Sequence, residues 1–142
     1  MDFRTWFGWM MRVQGHSMEP ALRPGALVFV RPRVFNRCNP RRGDIVAVRP
    51  SAWGGRTFVK RVVGLPGDCV QVDGREWRLG EGEFFLLGDR SAVSVDSRVF
   101  GPVTRGELVG PVRLLGRRGG GAEATIEEGQ SWASGLHVGM SA

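Results

Sequence analysis

Between residues 13 and 115 the apolar residues come in short β-branched runs cut by glycine and proline, not at the three-and-four spacing of an amphipathic helix. These runs predict strands over residues 26–31, 44–48, 57–63, 69–72, 83–87 and 107–115. The segments between them carry turn chemistry: Arg23-Pro24-Gly25, Pro40-Arg41-Arg42-Gly43, Trp53-Gly54-Gly55, Leu65-Pro66-Gly67-Asp68 and Asp73-Gly74. Asp73-Gly74 lies between two alternating stretches and predicts a hairpin with a primed turn. Residues 17–22 predict a short turn or a helix start, with Ser17 placed as an N-cap. The pattern reads as one mainly β domain over residues 13–115, built of short antiparallel strands.

Both ends depart from this pattern. Seven of the first eleven residues (Met1, Phe3, Trp6, Phe7, Trp9, Met10, Met11) are apolar or aromatic, flanked by Arg4 and Arg12. The stretch lacks the length and the small-residue cleavage site of a signal peptide. Residues 1–12 are expected to pack on the body, with contact at a membrane interface or a substrate-binding lip as alternatives. The sequence contains no run of about 20 apolar residues, the length that crosses a bilayer as a helix. Past Leu115, Gly116-Arg117-Arg118-Gly119-Gly120-Gly121 breaks the pattern, and residues 116–142 are expected to form a flexible, Gly-rich tail.

Composition sharpens this reading. A chain of 142 residues has room for one core, and 22 glycines with 8 prolines favour turns between strands over a helical bundle. The net charge of +6 would permit binding to nucleic acid or an anionic surface. Arg31, Arg33, Arg37, Arg41 and Arg42 support an alternative reading as a basic, nucleic-acid-binding β-barrel. Such a run is ordinarily a solvated face, so no nucleic-acid partner is expected. Cys38 and Cys69 are too few for a disulfide framework, and no His/Cys cluster has zinc spacing, so neither metal nor cofactor is expected.

All but one of the 20 basic residues are arginine; the exception is Lys60. A GC-rich genome accounts for the arginines but not for the retained lysine. Lysine differs from arginine chemically in that it can give up its proton. On a strand over residues 57–63, Phe58, Lys60 and Val62 share one face, which sets the amine between apolar neighbours. Burial there would lower its pKa and make it a competent general base. Ser17 stands in Gly15-His16-Ser17-Met18-Glu19-Pro20, a bend that would expose its hydroxyl beside free main-chain N–H groups. A serine nucleophile needs an adjacent base. His16 is poorly placed for that role, because neighbours in an extended chain point to opposite sides, and His137 lies far off in the tail. Lys60 is the better partner, in a serine/lysine form of the hydrolytic dyad.

Four motifs in series then carry a family resemblance: residues 15–20; Arg42-Gly43-Asp44-Ile45-Val46; Val59-Lys60-Arg61-Val62-Val63-Gly64-Leu65-Pro66-Gly67-Asp68; and Leu87-Gly88-Asp89-Arg90 with Ser94-Val95-Asp96-Ser97-Arg98 and Gly101-Pro102-Val103. In order and content they resemble the boxes of type I signal peptidases. The resemblance implies Ser17 as nucleophile, Lys60 as general base, Ser94 as the hydroxyl that orients the amine, and Asp89, Asp96 and Arg98 as structural support. It implies a signal-peptidase-like core folded as a bent-over sheet or partly open barrel, with the accessory β insertion reduced to a hairpin. Two positions depart from the family: Arg90 stands where members often carry Asn, and Gly15 where some carry an oxyanion-donating serine. The oxyanion site at Gly15 would therefore rest on main-chain N–H groups, including that of Ser17.

The short form is similar to soluble maturation proteases of nickel-type superoxide dismutase, which remove a leader peptide. The expected partner is thus a polypeptide with an N-terminal leader, and the expected location is cytoplasmic. A membrane-associated signal peptidase for exported proteins is the alternative. A self-cleaving repressor would share the chemistry, but the sequence offers no DNA-binding domain.

Overall fold

The computed structural model describes residues 7–115 and 137–140. Its strands are β1 (Trp9–Arg12), β2 (Leu27–Val30), β3 (Ile45–Val48), β4 (Phe58–Gly64), β5 (Asp68–Val72), β6 (Arg75–Arg78), β7 (Glu83–Leu87), β8 (Val103–Thr104), β9 (Leu108–Leu114) and β10 (His137–Met140). They form a seven-stranded sheet in the order β1-β2-β9-β3-β4-β7-β8 and a three-stranded sheet in the order β10-β5-β6. The pairings are antiparallel, and the larger sheet is not closed into a barrel.

All six strands expected from the apolar runs form, with no end trimmed or extended by more than one residue. Within the small sheet β5 and β6 form the expected hairpin, and its turn is the primed one: Asp73 and Gly74 both take positive φ, 51° and 73°.

Central strands bury both faces, which explains their unbroken apolar runs. On β7, Phe84 and Leu86 join one core with Val46, Val48, Val62 and Phe35. Phe85 and Leu87 join another with Val63, Val70, Val72 and Leu79, beneath the hairpin. Gly64 is required where the hairpin crosses: a Cβ there would lie 2.7 Å from Val70 and 2.8 Å from Leu79. A third core holds Val13, Met18, Leu22 and Val28.

Three segments take forms that apolar periodicity did not specify. From Trp9 onward the N-terminal segment is an edge strand of the main sheet, with Trp9 opposite Val30 and Arg12 opposite Leu27. Residues 1–6 lie outside the described set. Residues 17–22 form turns, not a helix. The tail is not uniformly free: β10 pairs with β5, Val138 opposite Val70. Periodicity did not reveal β10 because a main-chain ladder of four residues needs no apolar alternation. Residues 116–136 lie outside the described set.

Candidate active site

Strand β4 carries two cations in succession. Pairing places Lys60 opposite Val46 on β3, on the face shared with Phe58 and Val62, and places Arg61 between Ile45 and Leu87 on the other face. Both are buried, Lys60 to 3% exposure and Arg61 to 1%.

Ser17 reaches Lys60 from a turn anchored by its neighbours. Val13 and Met18 are buried in the third core, and the Leu22 N–H donates to the Met18 carbonyl at 2.9 Å. With Met18 turned inward, the Ser17 hydroxyl faces the amine, and Lys60 Nζ lies 3.0 Å from Ser17 Oγ. The same nitrogen lies 3.0 Å from Ser94 Oγ. Ser94 donates its one proton to Asp96 Oδ2 at 2.8 Å, so toward the lysine it can only accept. The amine thus donates one N–H to Ser94 and, while protonated, another to Ser17; once it is neutral, its lone pair can turn to the Ser17 hydroxyl.

Asp96 is completely buried and fully used. It accepts from the Gly88 N–H at 3.0 Å, from the Arg98 N–H at 3.2 Å, and from Arg98 Nε and Nη2 at 2.9 and 3.0 Å. Arg98 also donates to the Ser91 carbonyl and to Asp73 in the hairpin turn. Asp89 accepts from Arg61 Nε and Nη2, both at 2.8 Å, and Arg61 Nη1 donates to the Gly43 carbonyl at 2.7 Å. The loop carrying Ser94 is thus held from two sides by buried, charge-assisted bonds.

Burial lowers the Lys60 pKa from 10.5 to about 8. Loss of water is the largest cause, Asp96 and Asp89 oppose it, and Arg98 reinforces it. Chemically, a hydroxyl beside an amine that deprotonates near neutrality is equipped for acyl transfer.

The remaining expected residues divide. Gly15, exposed and at φ 76°, precedes Ser17 by two residues and has open space where a Cβ would stand. His16 is outside the hydroxyl–amine chain: its Nδ1 lies 2.7 Å from Glu19 Oε1 on the surface. The His137 side chain lies outside the described set. Arg61 was missed as the partner of Asp89. Its signal was an arginine in the middle of an apolar strand, where only a paired charge is stable. Gly88 was also missed. A Cβ there would lie 2.8 Å from the Ser17 carbonyl oxygen and collide with the Ser94 hydroxyl. Cys38 and Cys69 are free thiols. Among the described residues no group of three or more His, Cys, Asp or Glu could hold a metal ion, and no helix is long and apolar enough to cross a membrane.

A core of antiparallel sheets carrying a Ser/Lys pair defines a class of serine hydrolase, and comparison with known proteins agrees. Residues 2–79 and 71–115 match the signal peptidase family, peptidase S26. The chain belongs to that family of serine endopeptidases. It is 35% identical over 117 residues to the mitochondrial ATP-independent inner membrane protease subunit 1b of Arabidopsis thaliana, covering 76% of this chain and 69% of that one. It is 34% identical over 110 residues to the mitochondrial inner membrane protease subunit 2 of Danio rerio, covering 72% of this chain and 60% of that one. Signal peptidase I of Leptolyngbya laminosa is 28% identical over 156 residues, with 84% and 77% covered. The chain thus spans about 60 to 69% of the length of the mitochondrial relatives. A crystal structure of signal peptidase I from Enterococcus faecalis aligns with 52% of this chain and 97% of its own, at 26% identity and a TM-score of 0.45.

Proposed function

We propose that the protein is a serine endopeptidase of the signal peptidase type that removes an N-terminal leader from a polypeptide, with Ser17 as nucleophile and Lys60 as general base. The observation that carries this reading is the buried Lys60 amine at 3.0 Å from both Ser17 Oγ and Ser94 Oγ. Ser17 Oγ attacks the scissile carbonyl while Lys60 takes its proton, and the resulting oxyanion is met by main-chain N–H groups near Gly15 and Ser17. The tetrahedral adduct collapses, the C–N bond breaks, and Lys60 returns the proton to the leaving amine. Lys60 then takes a proton from water, which attacks the acyl-enzyme and frees Ser17. Ser94 orients the amine, while Asp96, Arg98 and Asp89 hold the loop.

Cleavage of a leader-bearing precursor tests the reading. Ser17→Ala and Lys60→Ala should each abolish cleavage with the thermal midpoint retained, and an active Lys60→Ala variant would overturn it.

The narrower substrate we propose is the precursor of a nickel-type superoxide dismutase, on the resemblance to the maturation proteases of that enzyme alone. Release of that dismutase's N-terminus by the purified protein supports it; cleavage only of exported-protein precursors favours the signal peptidase I alternative. The proposed setting is cytoplasmic, with peripheral membrane contact as the alternative. Phe7 and Met10, 66% and 63% exposed at the edge of the main sheet, favour that contact. Partition of the full chain into anionic vesicles, lost on Phe7→Ser/Met10→Ser, would establish it.

A further inference from the structure

Two segments meet at the candidate nucleophile: the turn that holds Ser17 and the loop 88–96 that holds Ser94. Lys60 joins them from the core side by touching both hydroxyls. Arg90 joins them again from the solvent side. Its main-chain N–H donates to the Ser17 carbonyl oxygen at 2.8 Å, and its Nη1 donates to Glu19 Oε2, also at 2.8 Å. The other Glu19 oxygen lies 2.7 Å from His16 Nδ1, so the carboxylate is held at both ends. One residue therefore grips the nucleophile's own carbonyl and a carboxylate two residues further on. A single contact would let the turn pivot about it; the second, at a different point of the same turn, removes that rotation.

We propose that Arg90 and Glu19 are positioning residues for Ser17, their ion pair locking the nucleophile turn against the Ser94 loop. This rests on the reading of Ser17 as nucleophile. The two segments also pass too close for a side chain between them, since a Cβ on Gly88 would lie 2.8 Å from the Ser17 carbonyl oxygen. A shift of the turn is therefore passed directly to the hydroxyl–amine distance. An asparagine at position 90 would keep the main-chain bond to Ser17 but fall short of Glu19. Glu19 supplies a full charge to the pair: its carboxyl lies below the usual carboxylate range, through the His16 hydrogen bond first and the charges of His16 and Arg90 after it.

The ion pair is partly open to solvent, with Arg90 at 54% and Glu19 at 25% side-chain exposure, and such pairs contribute little to stability. Catalytic groups, by contrast, must be held within about 0.5 Å, and a misplacement of about 1 Å costs roughly 100-fold in rate. A clamp of this kind is recognised by a loss of rate with no loss of fold.

The test measures acetylation of Ser17 by p-nitrophenyl acetate, an activated ester that needs no leader recognition, alongside the thermal midpoint of the full chain. Arg90→Ala and Glu19→Gln should each lower the acylation rate about 10-fold to 100-fold at an unchanged midpoint. Arg90→Lys should recover most of the rate. The charge-reversed pair Glu19→Arg/Arg90→Glu should be faster than either of its single variants. Wild-type acylation in Arg90→Ala, a loss that follows a fall in the midpoint, or Arg90→Lys no faster than Arg90→Ala would overturn the clamp. Ser17→Ala separates the two readings. If it is inert while Arg90→Ala is unaffected, only the clamp fails; if it acetylates like wild type, the nucleophile assignment fails and the clamp with it.

Discussion

Lys60 and Arg61 are consecutive on one strand and almost equally buried, yet the protein treats their charges in opposite ways. Arg61 meets the Asp89 carboxylate through two bonds of 2.8 Å, so its charge is neutralised inside the core. Lys60 meets two hydroxyls and an apolar face, and its hydrogen-bonded link to a carboxylate, Asp96, runs through Ser94. Burial without a direct counter-charge disfavours the ammonium, whereas burial with a bidentate carboxylate holds a guanidinium in place. The two faces of β4 thus hold their charges differently: burial disfavours the ammonium on one, and on the other a buried ion pair pins the loop beside it.

The largest expected effect breaks the reactive face. Lys60→Met should lower acylation of Ser17 by ~1,000-fold or more, the scale of losing one member of a hydrolytic set. A loss below tenfold would leave the two cations functionally alike. Next comes the supporting face, where Asp89→Ala removes the carboxylate that meets the buried Arg61 guanidinium through two bonds and should cost about 3–5 kcal/mol in urea unfolding. A cost under 1 kcal/mol would show that Arg61 does not depend on its partner.

A subtler prediction concerns stability against pH. The Lys60 pKa falls from 10.5 unfolded to about 8 folded, so below pH 8 the folded chain carries the whole burden of a charged, buried amine. Between those values the unfolded chain binds more protons, and stability rises with pH. The shift corresponds to about 3 kcal/mol. Lys60→Met should therefore be more stable than wild type at pH 7 by up to that amount, and the advantage should shrink as pH passes from 8 to 10.5. An advantage independent of pH would mean that the amine is not desolvated. The smallest effect is at the hairpin turn. Asp73→Asn keeps a side chain that tolerates the positive φ, removes only the charge from a surface bond to Arg98, and should cost below about 1 kcal/mol, leaving the rate intact.

Much of this was legible before any coordinates. The six core strands followed from β-branched runs because their two-sided burial leaves few polar interruptions. The hairpin turn followed from Asp73-Gly74, which suits the positive φ that the turn demands. The pairing of Ser17 with Lys60 followed from a lone lysine on an apolar strand face and a serine in need of a base, and the addition of Ser94 from motif resemblance; no spacing along the chain encodes contacts across 43 and 34 residues. The edge strand β1 looked like a separate aromatic segment because its side chains alternate only between half-buried and exposed. Arg61 was hidden by its motif, where it reads as one more arginine among many. Arg90 and Glu19 were hidden because a surface ion pair between residues 71 positions apart leaves no local pattern.

The most direct measurement exploits composition. Lys60 is the sole lysine, so a chain labelled with ¹³C,¹⁵N-lysine yields one side-chain signal, and its pH titration by NMR reads that amine alone. The account predicts a midpoint near 8, moving up toward 10.5 when the chain is unfolded in urea. A midpoint of 10.5 in the folded protein would contradict it, because the amine would then stay protonated at neutral pH and could not take the proton of Ser17.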